Sequence, residues 1–185
     1  FINTAGIGLR AGDDGLGPAF LAHAEALADP PGVATTFVAD FQLQPEHALD
    51  LDGRDLALFV DASLATAAPF TFRRLEAART ATFSTHGVAP GVVLAAFAAT
   101  FGRAAPPAYE LAIRGETFAL GTPLGARARA HLDAALAFFA ELRRNPTPME
   151  DIPWGSKFYL PFADKAEDTE MNKHRTGART GAAGS

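Results

Sequence analysis

Leu56-Ala57-Leu58-Phe59-Val60-Asp61 (residues 56–61) is the stretch on which the fold turns. Five apolar residues in a row, without the alternation of a half-buried strand, suit a strand covered on both faces, as at the centre of a parallel sheet. Asp61 ends the run. Unpartnered burial of a carboxylate there would cost several kcal/mol or force protonation. The carboxyl ends of strands are also where open α/β sheets bind ligands. Asp61 is therefore a site candidate whose simplest partner is a cation.

Working outward, helices and strands alternate. Leu16, Ala19, Phe20, His23, Ala24 and Leu27 recur at helical spacing, which predicts a helix over about 15–28 with Asp13 or Asp14 as its cap. Pro30-Pro31-Gly32 closes it, and residues 33–39, rich in β-branched side chains, form the next strand. Pro45 suits the first turn of a short helix through Leu51. Residues 64–76, of mixed polarity and broken at Ala68-Pro69, read as a loop in which Phe70 and Phe72 need cover, and residues 80–84 as a short strand. A buried Ala-rich helix over 90–101, a strand over 109–114 and a long amphipathic helix over 126–144 complete the pattern. Such an alternation predicts a three-layer α/β/α sandwich with a mainly parallel sheet, formed by residues 1–144 and followed by an extension over 145–185. The first segment, Phe1-Ile2-Asn3-Thr4-Ala5, is more polar than a central strand should be.

Composition narrows the function. With 185 residues, 48% of them hydrophobic, one complete core is possible and two ordinary domains are not. A net charge of −5 and the lack of a dense Lys/Arg block argue against a nucleic-acid partner. There is no cysteine, so thiol nucleophiles, zinc ribbons and iron–sulfur clusters are excluded. No apolar run approaches the roughly 20 residues that span a bilayer, and no basic-then-apolar leader opens the sequence, so a cytoplasmic protein is expected.

Three short segments carry candidate ligands: Gly12-Asp13-Asp14-Gly15-Leu16-Gly17, Val60-Asp61-Ala62-Ser63 and Ser84-Thr85-His86. Two carboxylates and one imidazole are too few to close a structural metal site and leave positions open, as catalytic sites do. Asp13 is the better helix cap and Asp14 the better ligand, since two adjacent carboxylates exceed what one cap needs. His86 follows a short strand, after two hydroxyl residues that can set its tautomer. His23, His47, His131 and His174 show no ligand spacing and are assigned surface or core roles. Gly6-Ile7-Gly8-Leu9-Arg10-Ala11 also fits a relaxed dinucleotide fingerprint, which makes a nucleotide-binding Rossmann-like protein the rival reading. Asp13-Asp14 at the helix start would repel the pyrophosphate there. No Gly-x-Ser-x-Gly elbow or phosphate-binding Gly-Lys-Ser/Thr loop is present.

In the order Gly6-Ile7-Gly8, Gly12-Asp13-Asp14-Gly15-Leu16-Gly17, Val60-Asp61-Ala62, Ser84-Thr85-His86, the chain resembles the hydrogenase maturation endopeptidases. The likeness extends to Gln42-Leu43-Gln44-Pro45-Glu46, Pro106-Pro107-Ala108 and Gly115-Glu116-Thr117-Phe118 followed by Gly121, and covers about residues 1–144. The family's Gly-x-Gly-Asn turn has no Asn here, and its spacer before the acidic pair is shortened. The resemblance implies removal of the carboxyl-terminal extension from a nickel-loaded hydrogenase large-subunit precursor. It further implies that Asp14, Asp61 and His86 engage a metal, either nickel borne by the substrate or another divalent ion such as zinc. Gln42 and Glu46 are implied substrate contacts. A degenerate member that only binds or escorts a hydrogenase subunit is the alternative.

Beyond Asn145, four prolines at 146, 148, 153 and 161 forbid a continuous helix, while Ile152, Trp154, Phe158, Tyr159, Leu160 and Phe162 offer apolar anchors. Burial of such rings, at roughly 150–250 Å² each, favours docking of residues 152–162 on the domain or on a partner. Residues 165–185, nearly devoid of apolar surface, order only through a partner. Limited proteolysis of the isolated protein is expected to spare 152–162 and to cut within 165–185. Rapid cleavage throughout 152–162 would rule out self-docking.

Overall fold

The computed structural model describes residues 2–7, 12–40, 42–78, 83–84, 87–118 and 123–144. The extension over 145–185, His86 and Gly121 lie outside the described residues, as do the side chains of residues 2–7 and of Asp14. Among the described residues a five-stranded sheet runs in the order β2-β1-β3-β7-β4, with β1 Ile2–Ile7, β2 Thr35–Asp40, β3 Leu56–Ser63, β7 Ala108–Arg114 and β4 Phe70–Leu75. The pairs β1–β2, β1–β3 and β3–β7 are parallel, and only β4 is antiparallel, against β7. Helices α1 Leu16–Glu25, α2 Pro90–Phe101 and α3 Ala126–Arg144 cover the sheet, giving the expected α/β/α sandwich. No described helix is long and apolar enough to cross a membrane.

Each strand distributes its side chains by alternation. On β3, Leu58 and Val60 enter a core with α1 and α3, while Ala57 and Phe59 enter a second core with α2 and the 3-10 helix Pro45–Leu51. All four are no more than 3% exposed. The unbroken apolar run of residues 56–60 thus serves two cores at once. Pro90 opens α2, as Pro suits a first turn, and Gly102 in the left-handed region closes it. Gly91 is needed for packing as well, because a Cβ there would fall 2.8 Å from the Glu76 carbonyl oxygen.

Three segments differ from the sequence reading. The polar first segment is a central strand, because β1 pairs with β2 on one side and β3 on the other. Residues 70–75, expected within a loop, form β4. Phe70 and Phe72 alternate into the α3 side, where Phe72 stacks on Tyr109 at 5.2 Å and meets Phe138 edge-on at 4.9 Å. The cover these rings require comes from a strand ladder, and the Ala68-Pro69 step precedes it without interrupting it. Within 80–84, residues 80–82 lie outside the described residues. Phe83–Ser84 pairs with Gly87–Val88, here β5 and β6, in a separate two-stranded ribbon and does not join the main sheet.

At the amino ends of the strands a buried cation joins three elements. Arg143, 2% exposed, donates through Nη1 to Asp29 Oδ1 at 2.9 Å and through Nη2 to the Ala28 carbonyl at 2.7 Å. Its guanidinium lies 5.0 Å from the centre of the Phe139 ring. Thr35 also donates to Asp29, from its hydroxyl at 2.8 Å and its N–H at 3.2 Å. These bonds fasten the α1–β2 turn to the last turn of α3.

The alternation in β4 gives a direct test. Phe72→Ala is expected to destabilise the fold by about 3–5 kcal/mol through cavity formation. Arg73→Ala, on the exposed side with a surface ion pair to Glu110, is expected to cost at most about 1 kcal/mol. Urea unfolding of both variants measures this, and equal costs would contradict the strand.

Candidate active site

The chain leaves β1 toward β2 on one side and then returns to place β3 on the other. The carboxyl ends of β1 and β3 thus flank the switch point where open α/β sheets bind ligands. Two of the candidate segments lie at this switch point. The 3-10 turn Gly12–Gly15, containing Asp13 and Asp14, follows β1 and packs against β3. Asp61 lies two residues before the end of β3, level with Ala112 of β7 and one step beyond the Gly6–Val60 pairing with β1. By alternation Asp61 belongs with Ala57 and Phe59 on the α2 side. It is partly buried, and its Oδ1 accepts the Ala62 N–H at 2.8 Å. Val88, two residues after His86, is buried in the core of that same side, and its N–H donates to the Leu43 carbonyl at 3.3 Å.

Gln42 and Glu46 are both exposed, in the segment that follows β2. His47 organises that segment: Nδ1 accepts the Gln44 N–H at 2.9 Å, and Nε2 faces Asp40 at 3.3 Å. Among the described residues no three His, Asp or Glu side chains are grouped for a metal. Two members of the candidate set, the Asp14 side chain and His86, fall outside that description.

Asp13 does something other than cap α1. Gly15 occupies the N-cap position, and the Asp13 carboxylate is engaged elsewhere. Asp13 instead turns away from α1 and is 2% exposed. Its Oδ2 accepts the N–H groups of Glu116 at 2.7 Å and Thr117 at 2.8 Å, and its Oδ1 that of Gly125 at 3.3 Å. Its own N–H donates to the Thr117 carbonyl at 3.0 Å. Gly125 opens α3, its carbonyl accepting the Arg129 N–H, so the carboxylate also faces the positive end of that helix. The approach depends on Gly115, where a Cβ would sit 3.2 Å from the Cβ of Asp13. Burial raises the Asp13 pKa, but the bonds from Thr117, Glu116 and Gly125 and the nearby His131 outweigh it, leaving the group below its ordinary 3.8.

Two further fastenings were not legible in the sequence. The Gly115 N–H donates to the Ser63 carbonyl at 3.1 Å, joining the ends of β7 and β3. Arg114 Nη1 donates to the carbonyls of Leu64 at 2.6 Å and Thr66 at 3.0 Å, holding the loop after β3. His131 donates from Nδ1 to the Arg114 carbonyl at 2.8 Å, a structural role in line with its assignment. A likeness in Gly115-Glu116-Thr117-Phe118 was the one available signal. It could not reveal that the backbone N–H groups, not the side chains, do the binding.

The fold as a whole recurs in solved structures. The maturation protease HycI from Thermococcus kodakarensis KOD1 superposes with a TM-score of 0.60 at 19% identity, over 78% of this chain and 92% of that one. The chain has the hydrogenase maturation protease fold. The maturating endopeptidase HybD from E. coli gives a TM-score of 0.61 at 20% identity, over 77% and 91% of the two chains. The hydrogenase 2 maturation peptidase from Thaumarchaeota archaeon SCGC_AB-539-E09 gives 0.53 at 20% identity, over 76% and 95%. No protein-family model and no curated protein matches the sequence.

A maturation-protease fold fastened by a buried carboxylate should be acid-sensitive at that point. Because the folded Asp13 pKa lies below the unfolded value, its contribution is complete above about pH 4 and is lost as pH falls through the folded pKa. Asp13→Ala, which orphans three N–H donors, is expected to cost about 3 kcal/mol at pH 7. The difference from wild type should shrink below pH 3.8, as followed by urea midpoints across pH. A difference independent of pH would contradict this account.

Proposed function

We propose that the protein is an endopeptidase that removes the carboxyl-terminal extension of a nickel-loaded hydrogenase large-subunit precursor. The observation that carries this reading is the convergence of the Asp13-Asp14 turn and Asp61 on the β1/β3 switch point of a maturation-protease fold. Asp14, Asp61 and His86 are the proposed catalytic and metal-engaging set. Their hard and borderline donors suit a divalent ion and do not distinguish nickel from zinc. Nickel here is cargo of the substrate, so recognition of the ion would restrict cleavage to precursors already loaded. Gln42 and Glu46, exposed after β2, are proposed contacts for the precursor chain. A cytoplasmic location is part of the same proposal.

A binding or escort module without proteolysis is favoured by one observation, the shortened, Asn-free turn between Gly8 and Asp13. The experiment that separates protease from escort is incubation of the purified full chain with nickel-loaded and nickel-free precursor. Cleavage of the loaded form alone is expected. Association without cleavage would select the escort, and equal cleavage of both forms would overturn nickel gating. His86→Ala is expected to lower processing by at least about 100-fold with an unchanged melting temperature, since an open-site ligand contributes little packing.

A further inference from the structure

We infer that Asp13 is a positioning residue for the proposed site, setting the acidic turn that carries Asp14 against the end of β3 that carries Asp61. This rests on the functional reading above but reaches residues to which that reading assigns no task. The fastening is a closed circuit. Asp13 accepts from Glu116 and Thr117 and donates its own N–H back to Thr117, so the turn and the loop after β7 are joined in both directions. That loop is joined to β3 by the Gly115 N–H on the Ser63 carbonyl, two residues beyond Asp61. The circuit closes through the packing of the Gly12–Gly15 turn on β3.

A carboxylate suits this position for a geometric reason. The three N–H groups reach it from two stretches of chain, residues 116–117 and Gly125. Two oxygens on one rigid plane can satisfy both at once. An amide keeps one oxygen but turns an NH2 toward a donor, and a methyl group satisfies neither. Gly115 belongs to the same device, because a Cβ there would crowd the Cβ of Asp13 at 3.2 Å and the Phe118 ring at 3.1 Å. The Gly-Glu-Thr sequence at 115–117 thus acts through its backbone, with Gly115 admitting the carboxylate and the next two amides holding it. Groups that orient a ligand-bearing segment typically affect metal affinity or activity by about 10–100-fold.

The test compares full-length Asp13→Asn, Asp13→Ala and Arg143→Met. Arg143 is a buried charge at the opposite end of the strands, so its variant reports lost stability without a link to the site. All proteins are studied at a temperature where each is folded. Affinity for Ni2+ alone is read by calorimetry, and the amide resonance of Ala62, which donates to Asp61, is read by NMR. Affinity is expected to fall at least about tenfold in Asp13→Ala and less in Asp13→Asn, with the Ala62 resonance shifted in both. Arg143→Met should leave both readings unchanged. An unshifted Ala62 resonance in the Asp13 variants, or equal changes in Arg143→Met, would overturn the proposal. If the wild type binds no Ni2+ and processes no precursor, the functional reading fails. The Ala62 resonance then still decides the part played by Asp13.

Discussion

A strand that is apolar on both sides must be covered on both sides, and β3 meets that constraint only at the centre of a layered structure. Leu58 and Val60 draw α1 and α3 to one face, and Ala57 and Phe59 draw α2 and the Pro45–Leu51 helix to the other. Parallel neighbours then follow, since β1 and β7 must return through connections long enough to supply those helices. With both faces of the sheet occupied, β3 carries no polar side chain until Asp61, near its carboxyl end. The order β2-β1-β3 makes the carboxyl ends of β1 and β3 the switch point, the place where open α/β sheets bind ligands. The same burial that stabilises the sandwich thereby concentrates its chemistry at one edge.

That edge is held by backbone amides and carbonyls more than by side-chain pairs. Asp13 binds three N–H groups, Arg114 two carbonyls, and Gly115 bonds directly to Ser63. Charged groups bonded to backbone dipoles keep their charge at low solvent exposure and fix loops that have no regular structure of their own. The opposite end uses the same chemistry with the sign reversed, in the Arg143 guanidinium between Ala28, Asp29 and the Phe139 ring. One end is fastened by a buried anion and the other by a buried cation. Both tie the α1 side of the sandwich to α3 or to the loop leading into it.

The sequence by itself determined the layered fold, since runs such as residues 56–60 and the helical spacing of 126–144 depend only on which side chains avoid water. The bounds of α2 and α3 were legible for the same reason, with Pro90 and the left-handed Gly102 marking the ends of α2. It also placed Asp61 and the acidic turn at strand ends, because an apolar run that stops at a carboxylate has a local signature. Strand β4 was hidden because its two buried rings alternate over too short a span to outweigh the proline before it, and partners far along the chain, Tyr109 and Phe138, give the rings their place. The centrality of β1 was likewise decided by its neighbours β2 and β3, against the polarity of its own residues. A structural role for Asp13 beside a ligand role for Asp14 was legible, but only the tertiary structure moved Asp13 from the cap of α1 to the amides of residues 116, 117 and 125. Those amides lie about a hundred residues away and are carried by backbone atoms that every residue except proline possesses, so no residue type announces them.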